Sequence, residues 1–144
     1  MADTAEQVGE ASGSSALVTS VRVVPQPGYD EVVLELSGDP GAVPGFRVGY
    51  VDTPVGDPSG RPVAVEGSAY LQVLVSGVLG VDDASADVSP SGPLPVSGEV
   101  VTQVVAGASF EGLHQFFVGL DAQRSFRVRA SADPGRVVVQ ILTP

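Results

Sequence analysis

Hydrophobic and polar residues alternate in short runs along most of this 144-residue chain, which is the period of strands with one buried and one exposed face. Residues 31–36 place Val32, Leu34 and Leu36 on one side and Glu31 and Glu35 on the other. Residues 17–24 set Leu17, Thr19, Val21 and Val23 against Val18, Ser20, Arg22 and Val24. The same period groups Phe46, Val48 and Tyr50, then Ala69, Leu71, Val73 and Val75, and it returns at 100–105, 114–120, 126–130 and 136–142. A short run at 63–65 predicts a further strand. Gly and Pro clusters separate the runs, and no segment sustains the 3.6 period of an amphipathic helix. The pattern predicts eight or nine strands in an all-β fold, a β-sandwich of mostly antiparallel sheets.

Residues 125–142 repeat the plan of residues 20–37 without a gap, at a constant offset of 105 positions. Each copy reads strand, Pro- or Gly-containing loop, then a strand opening on two valines, Val32-Val33 and Val137-Val138. That is a β-hairpin signal occurring twice. It predicts two similar sheets packed face to face, with Arg22 and Arg127 in equivalent places. The copies differ in charge: Glu31 and Glu35 of the first correspond to Arg136 and Gln140 of the second. A ligand that prefers one end of the domain should therefore prefer the second hairpin.

The length suits one domain with a real core, here residues 16–144. Residues 1–15 are polar, small and acidic, and predict a flexible tail that would tether the domain to an anchor in an exported protein. Residues 80–98 concentrate turn formers and acids and predict a long surface loop. Residues 107–113, GASFEGL, predict a turn or one turn of helix, with Phe110 plugging one end of the sandwich and Gly112 allowing a positive φ.

A net charge of −10 repels phosphates and excludes nucleic acid as a partner, and disfavours an anionic membrane surface. With Cys 0 there are no disulfides, zinc-thiolate sites or thiol nucleophiles. No apolar segment is long enough to span a bilayer, and no signal-peptide pattern follows Met1. Lysine and asparagine are absent and Ile141 is the single isoleucine, a bias that GC-rich codons of an actinomycete-like bacterium would produce.

Read in order, GYDEVVLEL, GFRVGYV, SGRPVAVEGSAYLQV, SFEGLHQFFVGL and SFRVRASADPGRVVVQIL resemble the AMIN-like domain of actinobacterial cell-envelope proteins and lipoproteins. The resemblance implies a β-sandwich of two similar sheets and a non-catalytic, extracytoplasmic binding or targeting module, lipid-anchored in its precursor. In relatives fused to cell-wall amidases and secretins, AMIN domains direct the protein to peptidoglycan. The implied partner is peptidoglycan or, alternatively, an envelope protein recognised without any cell-wall ligand. Two positions depart from the family. It often carries Arg directly after the Asp of the first turn and an acid near the end of the last strand, where this chain has Glu31 and Gln140.

The residues offer little catalytic chemistry. A Ser-His-acid arrangement must use His114, the only histidine, which sits in an alternating strand with no G-x-S-x-G elbow. One His and no Cys leave only carboxylates to complete a zinc site, so neither cofactor nor metal is expected. Asp82, Asp83 and Asp87 could offer oxygens to calcium but lack the spacing of a calcium loop. Glu31 and Glu35 lie along one strand face, not across a cleft. The candidate ligand-binding residues are Arg22, Arg127 and Arg129, whose guanidinium forks suit the carboxylates of peptidoglycan stem peptides. Tyr50, Tyr70 and Gln72 would add stacking and hydrogen bonds. The competing reading is that the arginines pair with the domain's own acids, Glu31 and Glu35 among them. Phe116 and Phe117 must point to opposite strand faces, so one is core and the other is covered by a loop or exposed.

Overall fold

Strands form wherever the sequence alternates, and they assemble into two antiparallel sheets. A computed structural model describes residues 4–11, 15–38, 41, 43–56, 60–76, 92–94, 96–110, 113–132 and 135–143. Asp82, Asp83 and Asp87 of the expected surface loop, and the turn residues Glu111 and Gly112, lie outside the described residues. The elements are β1 (Gln7–Gly9), β2 (Ser15–Gln26), β3 (Tyr29–Gly38), β4 (Gly45–Val51), β5 (Ala69–Ser76), β6 (Gly92–Leu94), β7 (Val101–Phe110), β8 (Leu113–Leu120), β9 (Phe126–Ser131) and β10 (Gly135–Leu142). A six-stranded sheet has the order β1-β4-β5-β8-β7-β6 and a four-stranded sheet the order β2-β3-β10-β9. The all-β sandwich predicted from the alternation is the observed fold.

The repeat is used differently from the expectation of one copy per sheet. Both hairpins lie side by side in the four-stranded sheet, joined by the antiparallel pair β3 and β10. Val33 pairs with Val138, its own counterpart in the repeat, so a local two-fold axis passes between them. Turn length then breaks the gapless correspondence. Gln26 pairs with Tyr29 across the two-residue turn Pro27-Gly28, where Gly28 has φ 87° and Pro27 fixes its own φ. In the second hairpin Ser131 pairs with Arg136, leaving a turn longer by two residues. Arg22 opposite Val33 therefore corresponds in space to Arg129 opposite Val138, and not to Arg127.

The inner faces meet in a core built by Val32, Leu34, Phe126, Val128, Val137, Val139 and Ile141 from the small sheet and Val48, Leu71, Val73, Val104, Phe116, Val118 and Leu120 from the large one. Two irregularities adjust the alternation. A bulge at Val18 to Ser20 in β2 lets Val18, fully buried, and Val21 both face the core although they stand an odd number apart. A second bulge, between Val101 and Gln103, does the same for β7.

Strand β8 is buried on both faces from His114 to Leu120, because residues 52–56 and 60–68 fold back over the outside of the large sheet. Gln115 donates to Val55 O at 3.0 Å, Ser68 N to Leu120 O at 2.8 Å, and Glu66 N to Gln103 Oε1 at 2.8 Å. Phe117 is fully buried beneath this cover, so the second phenylalanine of the pair is loop-covered. The expected strand at 63–65 does not form. Its backbone is spent on contacts such as Val63 N to Pro54 O at 2.9 Å.

Two polar side chains fasten the sheets at opposite edges of the core. Asp30 at the start of β3 is fully buried, and its carboxylate accepts from the backbone N–H groups of Glu99, Val100 and Val101 at 3.1, 2.7 and 3.0 Å. A Cβ on Gly98 would collide with that carboxylate, so the close approach requires glycine there. The other fastener is Gln7, from the segment predicted to be a tail. Residues 7–9 are instead strand β1, paired with β4. The Gln7 amide donates to Phe126 O at 2.7 Å and accepts from Val128 N at 2.9 Å, both on β9 of the opposite sheet. A polar side chain with a carboxamide thus orders a stretch whose apolar content alone would not.

Replacing Asp30 with Ala strands three backbone donors in a dry site. The expected loss is about 3–5 kcal/mol of unfolding free energy, measured by urea titration of both proteins.

Candidate functional site

The outer face of the small sheet carries four of the seven arginines of the chain. Registers on β2, β3, β10 and β9 set its side chains in three rows. Val24, Glu31, Gln140 and Arg127 form the first, Arg22, Val33, Val138 and Arg129 the second, and Ser20, Glu35, Arg136 and Ser131 the third. Val33 and Val138 at the centre are only 2% and 8% exposed although they face outward. In a chain of net charge −10, this face sets four guanidiniums against two described carboxylates. Cationic character is greatest over β9 and β10, which hold Arg127, Arg129 and Arg136.

Partners differ among these arginines. Arg22 pairs with Glu35 at 2.8 Å, a half-exposed bridge that contributes about 0–1 kcal/mol. Arg127 donates through Nε and Nη2 to Gln140 Oε1 at 3.3 and 3.1 Å, while Gln140 donates to Glu31 Oε2 at 3.1 Å. The two positions that depart from the family pattern thus face each other and form a relay. It orients Arg127 by a neutral amide and not by a carboxylate. Arg129 has no ion-pair partner among the described residues, and the partly buried Arg136 keeps its Nε without a hydrogen bond.

A cavity of about 220 Å³ opens at one end of this face, lined by Tyr29, Arg127, Gln140 and Leu142. Tyr29 and Leu142 are paired across β3 and β10. A guanidinium and an amide beside an aromatic ring and an aliphatic side chain suit a carboxylate carried on a small apolar group.

The six candidate residues do not share one site. Arg22, Arg127 and Arg129 share a face, but Arg22 and Arg129 occupy opposite edge strands, about 14 Å apart at the usual strand spacing. Only the β9 pair can address one small ligand. Tyr50 points into the sandwich: its hydroxyl accepts from Arg124 N at 2.8 Å and donates to Arg124 O. Its ring packs edge-on to Phe126 at 5.7 Å, and burial pushes its phenol above the ordinary range. Gln72 lies on the outside of the large sheet, where it accepts at 3.0 Å from Gln115, which also donates to Val55 O of the covering segment. Tyr70 is beside it, bonded to Gly67 O at 3.1 Å. Tyr50 and Tyr70 meet only in a depression of about 150 Å³ with Asp52, Ser68 and Gln123. The sandwich's thickness separates Tyr70 and Gln72 from the arginine face, and Tyr50 lies in the core beneath it.

His114 is 2% exposed. Nε2 is 3.1 Å from Gly107 O, Nδ1 is buried without a partner, and the ring stacks on Phe116 at 4.2 Å. Burial depresses its pKa below 6.5 more than the Gly107 carbonyl raises it. A histidine walled off in this way is a packing residue.

Sequence reasoning missed Tyr29, Gln140 and Leu142 as pocket residues. Their outward parity was readable, but the β3–β10 pairing that gathers them was not.

Two outcomes test these assignments. Tyr50→Phe keeps the ring and loses both hydroxyl bonds, so unfolding free energy falls by about 1–2 kcal/mol in urea titrations. For His114 the folded pKa is depressed, so its contribution is full above about 6.5 and drains away as pH falls below that value, where the unfolded chain takes up the proton. The melting midpoint of the wild type should drop more between pH 7.5 and 5.5 than that of His114→Gln.

The model of one protein family, the AMIN-like domain, matches residues 16–143. Neither a curated protein nor a solved structure matches the chain.

Proposed function

Because the chain belongs to the AMIN-like domain family, we propose that it is a non-catalytic binding module of the bacterial cell envelope, with its ligand surface on the outer face of the small sheet. The carrying observation is the concentration of Arg127, Arg129 and Arg136 over β9 and β10, with Arg127 lining a cavity shared with Tyr29, Gln140 and Leu142, in a protein otherwise strongly acidic. The surrounding negative charge rejects polyanions, while a local cationic pocket retains short carboxylates. A peptidoglycan stem peptide, with carboxylates next to small methyl-bearing residues, has that chemistry. In this reading Arg127 is the fork that receives a carboxylate, Gln140 holds it in place, and Arg129 supplies the second charge. Arg22, already bridged to Glu35, contributes to the face without gripping the ligand. The extracytoplasmic location suggested by the family supports the same reading, and a lipid anchor and an actinobacterial source belong to it.

Co-sedimentation with purified cell wall tests it. Arg127→Ala with Arg129→Ala, which leaves the core untouched, should reduce the bound fraction at least about tenfold, equivalent to two lost charge-assisted contacts. Unchanged sedimentation would overturn the assignment, and capture of an envelope protein instead would favour a protein-recognition role.

A further inference from the structure

The two sheets protect their edges in different ways. Edge strand β2 carries Pro25 and edge strand β6 carries Pro93, and proline cannot donate to an incoming strand. Strands β4 and β9 have no proline, and on one side of the sandwich residues 6–11 are what shields them. β1 pairs with β4 at three positions. On β9, Leu142 N bonds Ser125 O, so alternate residues from Ser125 onward turn their backbone groups to β10. Phe126 and Val128 turn theirs to the free edge, where the Gln7 amide satisfies Phe126 O and Val128 N as one residue of a neighbouring strand would.

The slot between β4 and β9 is shaped for this segment. A Cβ on Gly45 would lie 2.7 Å from Ala11 N, and one on Gly49 would lie 3.2 Å from Glu6 Cγ. A Cβ on Gly9 would collide with the Phe46 ring. The fit is specific but the hold is light. Val8 is 58% exposed, and a cavity of about 430 Å³ remains beside the strand, between Val8 and Ala11 on one side and Phe46, Leu74 and Leu113 on the other. A short edge strand with few buried apolar contacts opens locally while the rest of the sandwich stays folded.

We propose that the slot between β4 and β9 is a strand-docking site, that residues 6–11 are its resident ligand, and that it accepts the same segment from a second copy, so that two chains exchange N-terminal strands. The occupant follows from complementarity: the amide of Gln7, the missing side chain of Gly9 and the register on β4 satisfy the slot equally from either chain. Cis and trans forms make the same contacts, so their ratio is set by chain concentration against an intramolecular effective concentration on the order of millimolar. Exchange therefore grows at high local concentration.

The lack of native cysteine allows a direct test in the full chain. Val8 and Arg47 are opposite one another in the β1–β4 register. Val8→Cys and Arg47→Cys proteins, one isotopically labelled, are mixed near millimolar concentration, oxidised and resolved by mass spectrometry. Cross-linked heterodimer should exceed that formed when Arg47→Cys is replaced by an Asp52→Cys control. Adding Gln7→Glu to the Val8→Cys chain, which sets a carboxylate against the Phe126 carbonyl, should lower the yield about tenfold. Circular dichroism confirms that each variant is folded. A yield equal to the control, or one indifferent to Gln7→Glu, overturns the proposal. Equal competition by a scrambled peptide and by a peptide of residues 4–11 overturns the choice of a second copy as occupant.

Discussion

A buried carboxylate with no cation beside it is costly unless backbone donors surround it, and Asp30 is held by three. The donors belong to the segment entering β7 of the large sheet, and the acceptor to β3 of the small one. One charge therefore fixes the spacing of the layers at that end of the core. The constraint propagates outward. Setting the start of β3 sets its turn with β2, its register with β10, and through β10 the position of β9. The arginine face is thus a consequence of how the small sheet is pinned to the large one.

That face shows how a repeat becomes asymmetric. Val33 and Val138 lie on a local two-fold axis, and an ideal repeat would place equal charges on either side. Two features defeat the symmetry. Glu31 and Glu35 in one copy become Arg136 and Gln140 in the other, and the second turn is two residues longer. The shift preserves side-chain parity, so arginines stay outward, but it moves Arg127 next to Gln140 and the Tyr29–Leu142 pair. A structural repeat is thereby converted into a surface with a cationic half and a balanced half. On the opposite outer face, residues 52–56 and 60–68 cover the middle of β8, where Gln115 and Phe117 are buried.

The edges obey a related economy. Where a strand carries its own proline, no further protection is required; where it does not, the N-terminal segment supplies a short strand and a carboxamide. Gln7 reads as an ordinary polar residue because its importance depends on two backbone groups more than a hundred positions away. Hydrophobicity-based reasoning consigns such a segment to a tail, since it has almost no apolar area to bury.

The alternation of residues by itself determined the all-β class, nearly every strand, the inward positions of Val32, Leu34, Leu71, Val73 and Val118, and the outward parity of Arg22, Arg127 and Arg129. These are local properties, because parity along a strand follows from backbone geometry alone. Only the tertiary structure decided that both hairpins share a sheet, that Arg129 and not Arg127 is the counterpart of Arg22, and that Tyr50 is committed to the Arg124 backbone. It also decided that Tyr29, Arg127, Gln140 and Leu142 meet at one cavity. Each of these depends on strand order, register or turn length, which are fixed by contacts between residues remote in sequence, and a period-two pattern is blind to them.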